Sequence, residues 1–179
     1  MSSSNYHENV EYRGSIYCLF HLNPFTMSVK CDGLGRDLRV RVIPLNHCFS
    51  KDKKKNEEDY IEGDPIFDQG TARERIFCLE RYVQSFELEA AVRSLRGEYV
   101  LESASERNWC YVSSLEFNGK TYYVFFELKR APRANRRMQD LELYIESAYT
   151  RDHPNVKGRV RFELLCRKTF NGEKVKTRK

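Results

Sequence analysis

Hydrophobic and polar residues alternate with a period of two in several parts of the chain. Leu38, Val40 and Val42 alternate with arginines, and residues 11–20 are rich in aromatic and other strand-favouring side chains. Because successive side chains of a strand point to opposite faces of a sheet, this pattern predicts strands at 11–20 and 38–43.

The strongest local prediction is a β-hairpin. Asn118-Gly119 favours a two-residue turn, and the alternating segments 109–117 and 121–129 lie on either side of it. A two-residue turn places Cys110 opposite Glu127 on the facing strand. It also produces one largely apolar face, which is ready to pack on a core.

A helical pattern occupies residues 71–95. Thr71 followed by Glu74 three residues later forms a capping box, and apolar residues then recur at intervals of three to five. We expect one face of this helix to be buried against the sheet. That face consists of Ile76, Leu79, Val83, Phe86, Ala90 and Leu95.

Together these elements predict a single α+β domain over residues 1–179. Alternation predicts two further strands at 141–149 and 159–166, which gives an antiparallel, meander-rich sheet of about six strands packed by one long helix. Residues 50–70 hold a basic run and then an acidic run, so we expect an exposed, mobile charged loop in which the two runs neutralise each other. Residues 172–179 form a basic tail.

Composition narrows the class of protein. Hydrophobic residues make up 40% and aromatic residues 13% of the chain, which is enough to build a core and argues against global disorder. No stretch is long and apolar enough to cross a bilayer, and the N-terminus lacks the features of a secretory signal. We therefore expect a cytoplasmic protein with no membrane partner.

Cysteine and histidine spacing argues against a metal or cofactor site. The six cysteines include no C-x-x-C pair, and no two histidines have the spacing of metal ligands. The chain also lacks a P-loop, a dinucleotide-binding glycine motif and a nucleophile elbow. We expect reduced thiols, no cofactor and no metal.

Charge is distributed unevenly between the two halves. Residues 1–100 contain 14 Lys and Arg against 16 Asp and Glu, a net of −2, whereas residues 101–179 contain 17 against 10, a net of +7. A basic excess attracts phosphate. The second half is therefore where a nucleic-acid surface is expected.

One connection between two predicted strands concentrates this charge. It holds Lys129, Arg130, Arg133, Arg136 and Arg137 with no acidic residue among them. Arginine binds phosphate in a bidentate manner, and Tyr144 on the following strand could stack on a base. The alternative is a solvated loop whose arginines pair with acidic residues nearby, namely Asp140, Glu142 and Glu146.

Glu127-Leu128-Lys129 resembles the E-x-K half of the PD-(D/E)xK nuclease motif. In that motif carboxylates hold a divalent metal ion, and the lysine assists the attacking water. The motif also needs an acidic residue on the partner strand, where the predicted register places Cys110; Glu106 could approach Glu127 only if the register slips. A divergent metal-dependent nuclease that uses Glu127 and Lys129 is thus an alternative hypothesis.

His47 follows a predicted strand and precedes the charged loop. Histidine titrates near neutral pH and can act as a general acid or base, so His47 is a candidate catalytic residue of a small, metal-independent ribonuclease. His153 is a second candidate at a turn. Arg73, Arg75 and Arg81 lie on the predicted helix, and Arg107 lies at the entry to the hairpin. Arg75 and Arg107 would join the basic connection if the helix packs beside the hairpin; the alternative is that the helix arginines form salt bridges, for example with Glu80.

Two classes of function follow from these patterns. The basic connection favours a protein that binds RNA or DNA, with ribonuclease activity if His47 lies beside the arginines. The missing catalytic constellation favours an interaction module that binds another protein without catalysis. The oligomeric state is left open.

Overall fold

A long mixed sheet dominates the computed structural model, which describes residues 6–103, 109–150 and 156–177. The expectation of a fold with both helices and strands, and mostly sheet, is confirmed. The strands are β1 (Val10–Tyr12), β2 (Ser15–Tyr17), β3 (Phe25–Lys30), β4 (Asp37–Pro44), β5 (Ser50–Asp52), β6 (Ile66–Phe67), β7 (Arg75–Phe77), β8 (Tyr99–Ser103), β9 (Trp109–Phe117), β10 (Lys120–Arg130), β11 (Leu141–Thr150) and β12 (Val156–Arg161). The α-helices are α1 (Leu79–Gln84), α2 (Leu88–Arg93) and α3 (Phe162–Asn171).

Within the described ranges, seven strands form the main sheet in the order β12-β8-β9-β10-β11-β4-β3. Adjacent strands of this sheet run antiparallel except for β4 and β11, which run parallel to each other with Val40 opposite Leu141. The prediction of a purely antiparallel sheet is therefore wrong. Parallel strands need a long crossover, which the chain between residues 45 and 140 supplies. The alternation of side chains within one strand does not indicate whether the adjacent strand runs parallel or antiparallel to it.

The predicted hairpin is confirmed as β9 and β10. Asn118 and Gly119 have φ angles of 51° and 74°, the left-handed pair that a type I′ turn requires. The predicted strand at 141–149 is also confirmed, as β11, and it pairs with β10 along most of its length.

The register of the hairpin differs from the prediction beyond the turn. An irregularity between Thr121 and Tyr123 shifts the pairing, so Phe125 rather than Glu127 lies opposite Cys110. The shift is an even number of residues, and each side chain therefore keeps its predicted face of the sheet.

The long helix predicted for residues 71–95 is wrong. Arg75–Phe77 forms β7, the middle strand of a separate three-stranded sheet with β5 and β6, and the helical part begins only at Leu79. The capping box does not form, because the Glu74 carboxylate pairs with Lys53 Nζ at 3.1 Å. Pairing with distant strands outweighs the local helix preference here.

The first part of the helical segment exposes the face that was expected to be buried. Leu79, Val83 and Phe86 are 46%, 55% and 54% exposed. Gln84 is buried instead, and its amide group exchanges hydrogen bonds with Thr150: Nε2 donates to the hydroxyl at 3.1 Å and Oε1 accepts from the backbone N–H at 3.2 Å. The orientation of α1 is thus set by this polar contact. In α2 the buried residues are Leu88, Ala91 and Val92.

The strand predicted for residues 159–166 is correct only as far as Arg161. There β12 ends and α3 begins, the longest helix in the part of the chain that the structure describes. Phe162, Leu165 and Cys166 are buried, and their spacing of three and one residues suits a helix. The strand prediction rested instead on the apolar residues at alternate positions. Short apolar runs fit either period.

The charged segment 50–70 is more structured than predicted. It carries β5, a 3-10 segment at Lys54–Asp59 and β6. Lys51 and Asp59 form an ion pair, so the basic and acidic runs do contact each other. Arg13, from the β1–β2 hairpin, binds Asp64 at 3.2 Å. These contacts fix the segment beside β7.

The core lies between one face of the main sheet and the helices α2 and α3. Phe126 and Phe162 meet edge to face with their ring centroids 6.2 Å apart, and both are fully buried. All six cysteines are free, and four of them are buried. In the described ranges, no helix combines the length and the apolar character that a membrane span needs.

Candidate functional site

The buried carboxylate of Asp140 anchors the connection between β10 and β11. Arg36 donates to it in a bidentate manner at 2.8 and 3.0 Å, and the backbone N–H of Arg39 donates at 2.8 Å. Chiefly because of the Arg36 guanidinium, the pKa of Asp140 is lowered to about 2. The carboxylate is therefore ionised at neutral pH and joins the end of the connection to the start of β4.

The side chain of Arg39 holds the backbone of the same connection. Its guanidinium donates to the carbonyl oxygens of Arg137 at 2.7 Å and Arg136 at 3.3 Å. Arg136 in turn donates through Nε to the carbonyl oxygen of Ala131 at 3.1 Å. These contacts hold the backbone of the segment and the side chain of Arg136 in place.

The predicted arginines of the connection project from this anchored backbone. Arg130, Arg133, Arg136 and Arg137 are exposed. Within the ranges that the structure describes, none of them forms an ion pair with a carboxylate. Arg130 lies over the ring of Phe170 at 5.3 Å. The connection therefore presents cationic groups whose charge is not neutralised by a contact.

Two of the three acidic residues that could have neutralised these arginines have other partners, and the third, Glu146, forms no ion pair in the described ranges. Asp140 binds Arg36 and Arg39. Glu142 is buried and accepts hydrogen bonds from the amides of Asn135 and Gln139 and from the hydroxyl of Tyr144. Burial and the nearby Glu127 raise the pKa of Glu146. The alternative, in which the arginines of the connection pair with these acidic residues, therefore does not agree with the contacts in the described ranges.

Tyr144 lies beside the basic connection. Lys129 Nζ is 5.3 Å from the centre of its ring, and its hydroxyl donates to Glu142 at 2.6 Å, which raises the pKa of Tyr144 to about 12. The ring is half-buried. The structure therefore brings together Lys129, Tyr144 and the arginine-rich segment, as the nucleic-acid hypothesis requires.

Glu127 and Lys129 form an ion pair with each other at 2.7 Å. Glu127 lies opposite Tyr144 on β11, and Glu106, which was expected to approach Glu127 only if the register slips, lies outside the described residues. In the part of the chain that the structure describes, no three His, Cys, Asp or Glu side chains are grouped as a metal site requires. No observation favours the metal-dependent alternative.

His47 lies in a different place, an open cleft of about 1070 Å³ between the three-stranded sheet, α1 and the end of β11. We call this the His47 cleft. Five basic residues line it: Lys51, Lys55, Arg73, Arg75 and Arg81. Arg75 was expected to join the β10–β11 connection if a helix packed beside the hairpin, whereas the structure places it with Arg73 and Arg81 around His47.

Two of these arginines are held by the same backbone group. Arg75 donates from Nη2 and Arg81 from Nη1 to the carbonyl oxygen of Ser50, at 2.6 and 2.8 Å. Arg75 also donates to the Ser50 hydroxyl at 2.8 Å, and Arg81 donates to the carbonyl oxygen of His47 at 3.1 Å. Arg75 is only 7% exposed.

The imidazole of His47 is neutral over most of the pH range. Burial and the nearby positive charges of Arg75, Arg81 and Arg73 lower the pKa of His47 to about 4, against a smaller opposite effect of Asp68. A neutral imidazole can accept a proton, as a general base must. An anion in the cleft would offset the positive charges and raise this pKa.

The His47 cleft and the basic connection lie at opposite ends of β11. Arg130 pairs with Leu141 at the first residue of the strand, and the cleft is lined by Ser147, Tyr149 and Thr150 near its last. At about 3.3 Å per residue, six to nine residues separate them by roughly 20–30 Å. The structure does not bring His47 and the 129–137 arginines together.

The two other described histidines, which the sequence did not mark as candidates, have contacts outside both sites. His7 contacts the carbonyl oxygen of Pro44 at 2.9 Å, and His21 stacks on Phe86 at 3.9 Å. His153 and Arg107 lie outside the described residues. Lys51 and Lys55 belong to the predicted self-neutralising loop, but the structure places both in the cleft wall. Lys51 lies in β5, which pairs with β7, and Lys55 in the 3-10 segment that follows.

Comparison with known proteins gives one match. No curated protein and no solved structure matches the chain. Residues 9–170, well over half of the chain, match the YjaZ family, and this range includes both the basic connection and the His47 cleft. The chain therefore belongs to the YjaZ family.

Proposed function

We propose that the protein binds RNA or DNA through the surface formed by Lys129, Tyr144 and the arginines of the β10–β11 connection. One observation carries the proposal. The connection presents exposed arginines with no carboxylate partner in the described ranges, on a backbone that Asp140 and Arg39 hold in place. Cations fixed in this way bind phosphate without a large cost in ordering the segment.

The arrangement suits a single strand better than a duplex groove. Tyr144 supplies a half-buried aromatic ring next to Lys129, and stacking on such rings together with phosphate contacts is the usual mode of single-strand binding. Among the described residues, the only helical element in the connection is the three-residue 3-10 turn Arg133–Asn135. This turn is too short to act as a recognition helix in a major groove.

Binding to labelled single-stranded RNA and DNA, measured by fluorescence anisotropy across a range of salt concentrations, tests the proposal. Arg133→Gln with Arg137→Gln removes two exposed cations whose side chains make no hydrogen bond within the described ranges. We expect weaker binding to every sequence and a salt slope lower by about 0.7 for each lost phosphate contact.

The matched control is Lys120→Gln with Lys174→Gln, which removes the same charge from exposed positions elsewhere. Equal loss in the two double variants would mean that binding follows net charge alone. No binding by the unaltered chain at low salt, or no loss with Arg133→Gln and Arg137→Gln, rejects the proposal.

The proposal does not include ribonuclease activity that combines His47 with the basic connection. That hypothesis joined His47 to the 129–137 arginines, and these groups lie at opposite ends of β11. If the protein cleaves RNA, His47→Gln should abolish cleavage without changing the affinity for the strand. Unchanged cleavage in that variant excludes His47 as the acid or base.

A protein-binding role is the second candidate, and the exposed apolar face of α1 and of the 3-10 turn that follows it (Ser85–Glu87) favours it. Leu79, Val83 and Phe86 follow helical spacing, are about half exposed, and lie next to the His21–Phe86 ring stack. A photo-crosslinking residue at position 83 should capture a discrete partner protein that one at position 89 does not. Equal capture from both positions rejects this role for the face.

A further inference from the structure

We propose that the His47 cleft binds the phosphate group of a phosphorylated ligand, with Arg75 and Arg81 at its base and Arg73 and Lys55 as exposed cations beside them. This site is separate from the nucleic-acid surface at the other end of β11. Its test can therefore fail while the proposed function stands, and the reverse.

The first observation is the convergence of two guanidinium groups. Arg75 and Arg81 both donate to the Ser50 carbonyl oxygen, and no carboxylate lies within ion-pair distance of either in the described ranges. A buried positive charge is normally paired, because removing it from water is costly. Asp68 and Asp52 act on Arg75 only from beyond ion-pair distance, so an anion bound in the cleft would supply the direct negative partner.

The second observation is that the protein positions these two side chains firmly. Arg75 is held by both the hydroxyl and the carbonyl of Ser50. Arg81 bonds two carbonyl oxygens and also lies over the ring of Tyr149, with 4.2 Å between Cζ and the ring centre. A guanidinium held in place loses little side-chain entropy when an oxyanion binds to its remaining N–H groups.

The charge balance of the cleft also favours an anion. Asp52 and Glu80 are the acidic residues that line it. Asp52 accepts from the backbone N–H of Lys55 at 3.0 Å, and Glu80 accepts from Gln84 at 3.2 Å. Lys51 pairs with Asp59, which leaves Lys55, Arg73, Arg75 and Arg81 as cations with no ion pair in the described part of the chain.

The size and lining of the cleft indicate the class of ligand. Its volume of about 1070 Å³ is at the upper end of the usual range for small-molecule sites, roughly 300–1000 Å³, and far exceeds a phosphate ion. Its lining is mostly polar and charged. A nucleotide, a sugar phosphate or one phosphate of a nucleic-acid strand would fit this chemistry, and they share the phosphate group.

Calorimetric titration of the full chain with pyrophosphate, AMP and adenosine at low salt tests the assignment. We expect pyrophosphate and AMP to bind and adenosine not to bind. Lys55→Gln with Arg73→Gln should weaken AMP binding about tenfold without lowering the melting temperature, because both side chains are exposed and make no ion pair in the described ranges. The matched control, Arg133→Gln with Arg137→Gln, should leave AMP binding unchanged.

A short oligonucleotide distinguishes the two sources of phosphate. If AMP and pyrophosphate do not bind but oligonucleotide affinity falls with Lys55→Gln and Arg73→Gln, the cleft holds a phosphate of the strand. If no phosphate-bearing probe responds to that pair of substitutions, the inference is wrong. It is also wrong if adenosine binds as well as AMP, or if the two double variants reduce AMP binding equally.

Discussion

Arg75 and Arg81 direct their guanidinium groups at one acceptor, the carbonyl oxygen of Ser50, from distances of 2.6 and 2.8 Å. Burial, and after it the repulsion from the nearby Arg81, lowers the pKa of Arg75 to about 10. Arg75 still carries its charge at neutral pH. The same positive environment acts on His47, which lies in the same cleft.

Stability should fall on mild acidification because of His47. Its folded-state pKa is about 4 and that of an unfolded histidine about 6.5, so between these values the unfolded chain binds more protons and the free energy of unfolding decreases as pH falls. His7 and His21 also have lowered pKa values and act in the same direction.

The contribution of His47 is isolated by comparing the unaltered chain with His47→Gln in urea unfolding at several pH values from 7 to 4.5. The variant should lose less stability over this range, since one of the groups that must be charged is gone. Parallel pH profiles for the two proteins would contradict the depressed pKa of His47.

Asp140 should be the carboxylate whose loss most weakens the β10–β11 connection. Asp140→Asn should lower the free energy of unfolding by about 2 kcal/mol, since charge-assisted hydrogen bonds from Arg36 and Arg39 are lost. Arg36 and Arg39 are about half exposed, which keeps the figure below that of a fully buried pair. Asp37→Asn, at an exposed carboxylate that accepts from Ser28, is the control and should cost clearly less.

The pH dependence of this contribution has a defined sign. The folded-state pKa of Asp140 is about 2, below the unfolded value of about 3.9. Its stabilisation is therefore complete above about pH 4 and is lost as pH falls towards 2. Equal acid sensitivity of Asp140→Asn and the unaltered chain between pH 4 and 2 would show that the ion pairs contribute nothing.

Alanine substitutions of Phe86 and Leu88 should lower the free energy of unfolding by clearly different amounts, although the two residues are only two positions apart. Leu88 is 1% exposed and Phe86 54%. Leu88→Ala should cost about 2–4 kcal/mol through the cavity that it leaves, whereas Phe86→Ala should cost about 1 kcal/mol or less. Chemical unfolding of both variants checks the comparison, and a larger loss for Phe86→Ala would mean that its face is covered.

Tyr122→Phe should stabilise the protein. The Tyr122 hydroxyl is fully buried and has no hydrogen-bond partner among the described residues, and burial raises the pKa of this group. Removing an unsatisfied polar atom should increase the free energy of unfolding by about 1 kcal/mol. Tyr111→Phe is the control: its hydroxyl contacts Ser94 Oγ at 2.9 Å, so the same change should destabilise by about 1 kcal/mol. A loss of stability in Tyr122→Phe would indicate a partner for its hydroxyl.

The elements that depend on local chemistry were predictable from the sequence. Asn118-Gly119 specifies a type I′ turn because both residues tolerate positive φ, and alternation on either side specifies the faces of β9 and β10. The alternation of 141–149 likewise predicts β11 and the burial of Leu141, Leu143 and Ile145, but not that of Glu142 and Ala148. The exposed arginines of the β10–β11 connection were also visible, since a polar run between two strands has to lie at the surface.

What depends on contacts between distant residues was decided only by the tertiary structure. Arg75–Phe77 becomes a strand because β5 and β6 lie beside it, and α1 exposes its apolar face because Gln84 binds Thr150. The His47 cleft follows from both: β7 supplies Arg75 and α1 supplies Arg81. These arginines lie within residues 1–100, whose net charge is −2, so the charge count along the sequence did not predict a basic site there. The folded chain brings them together because strand pairing and the buried Gln84 amide contact join residues that are far apart in the sequence. The local pattern of hydrophobic and polar residues contains no information about such contacts.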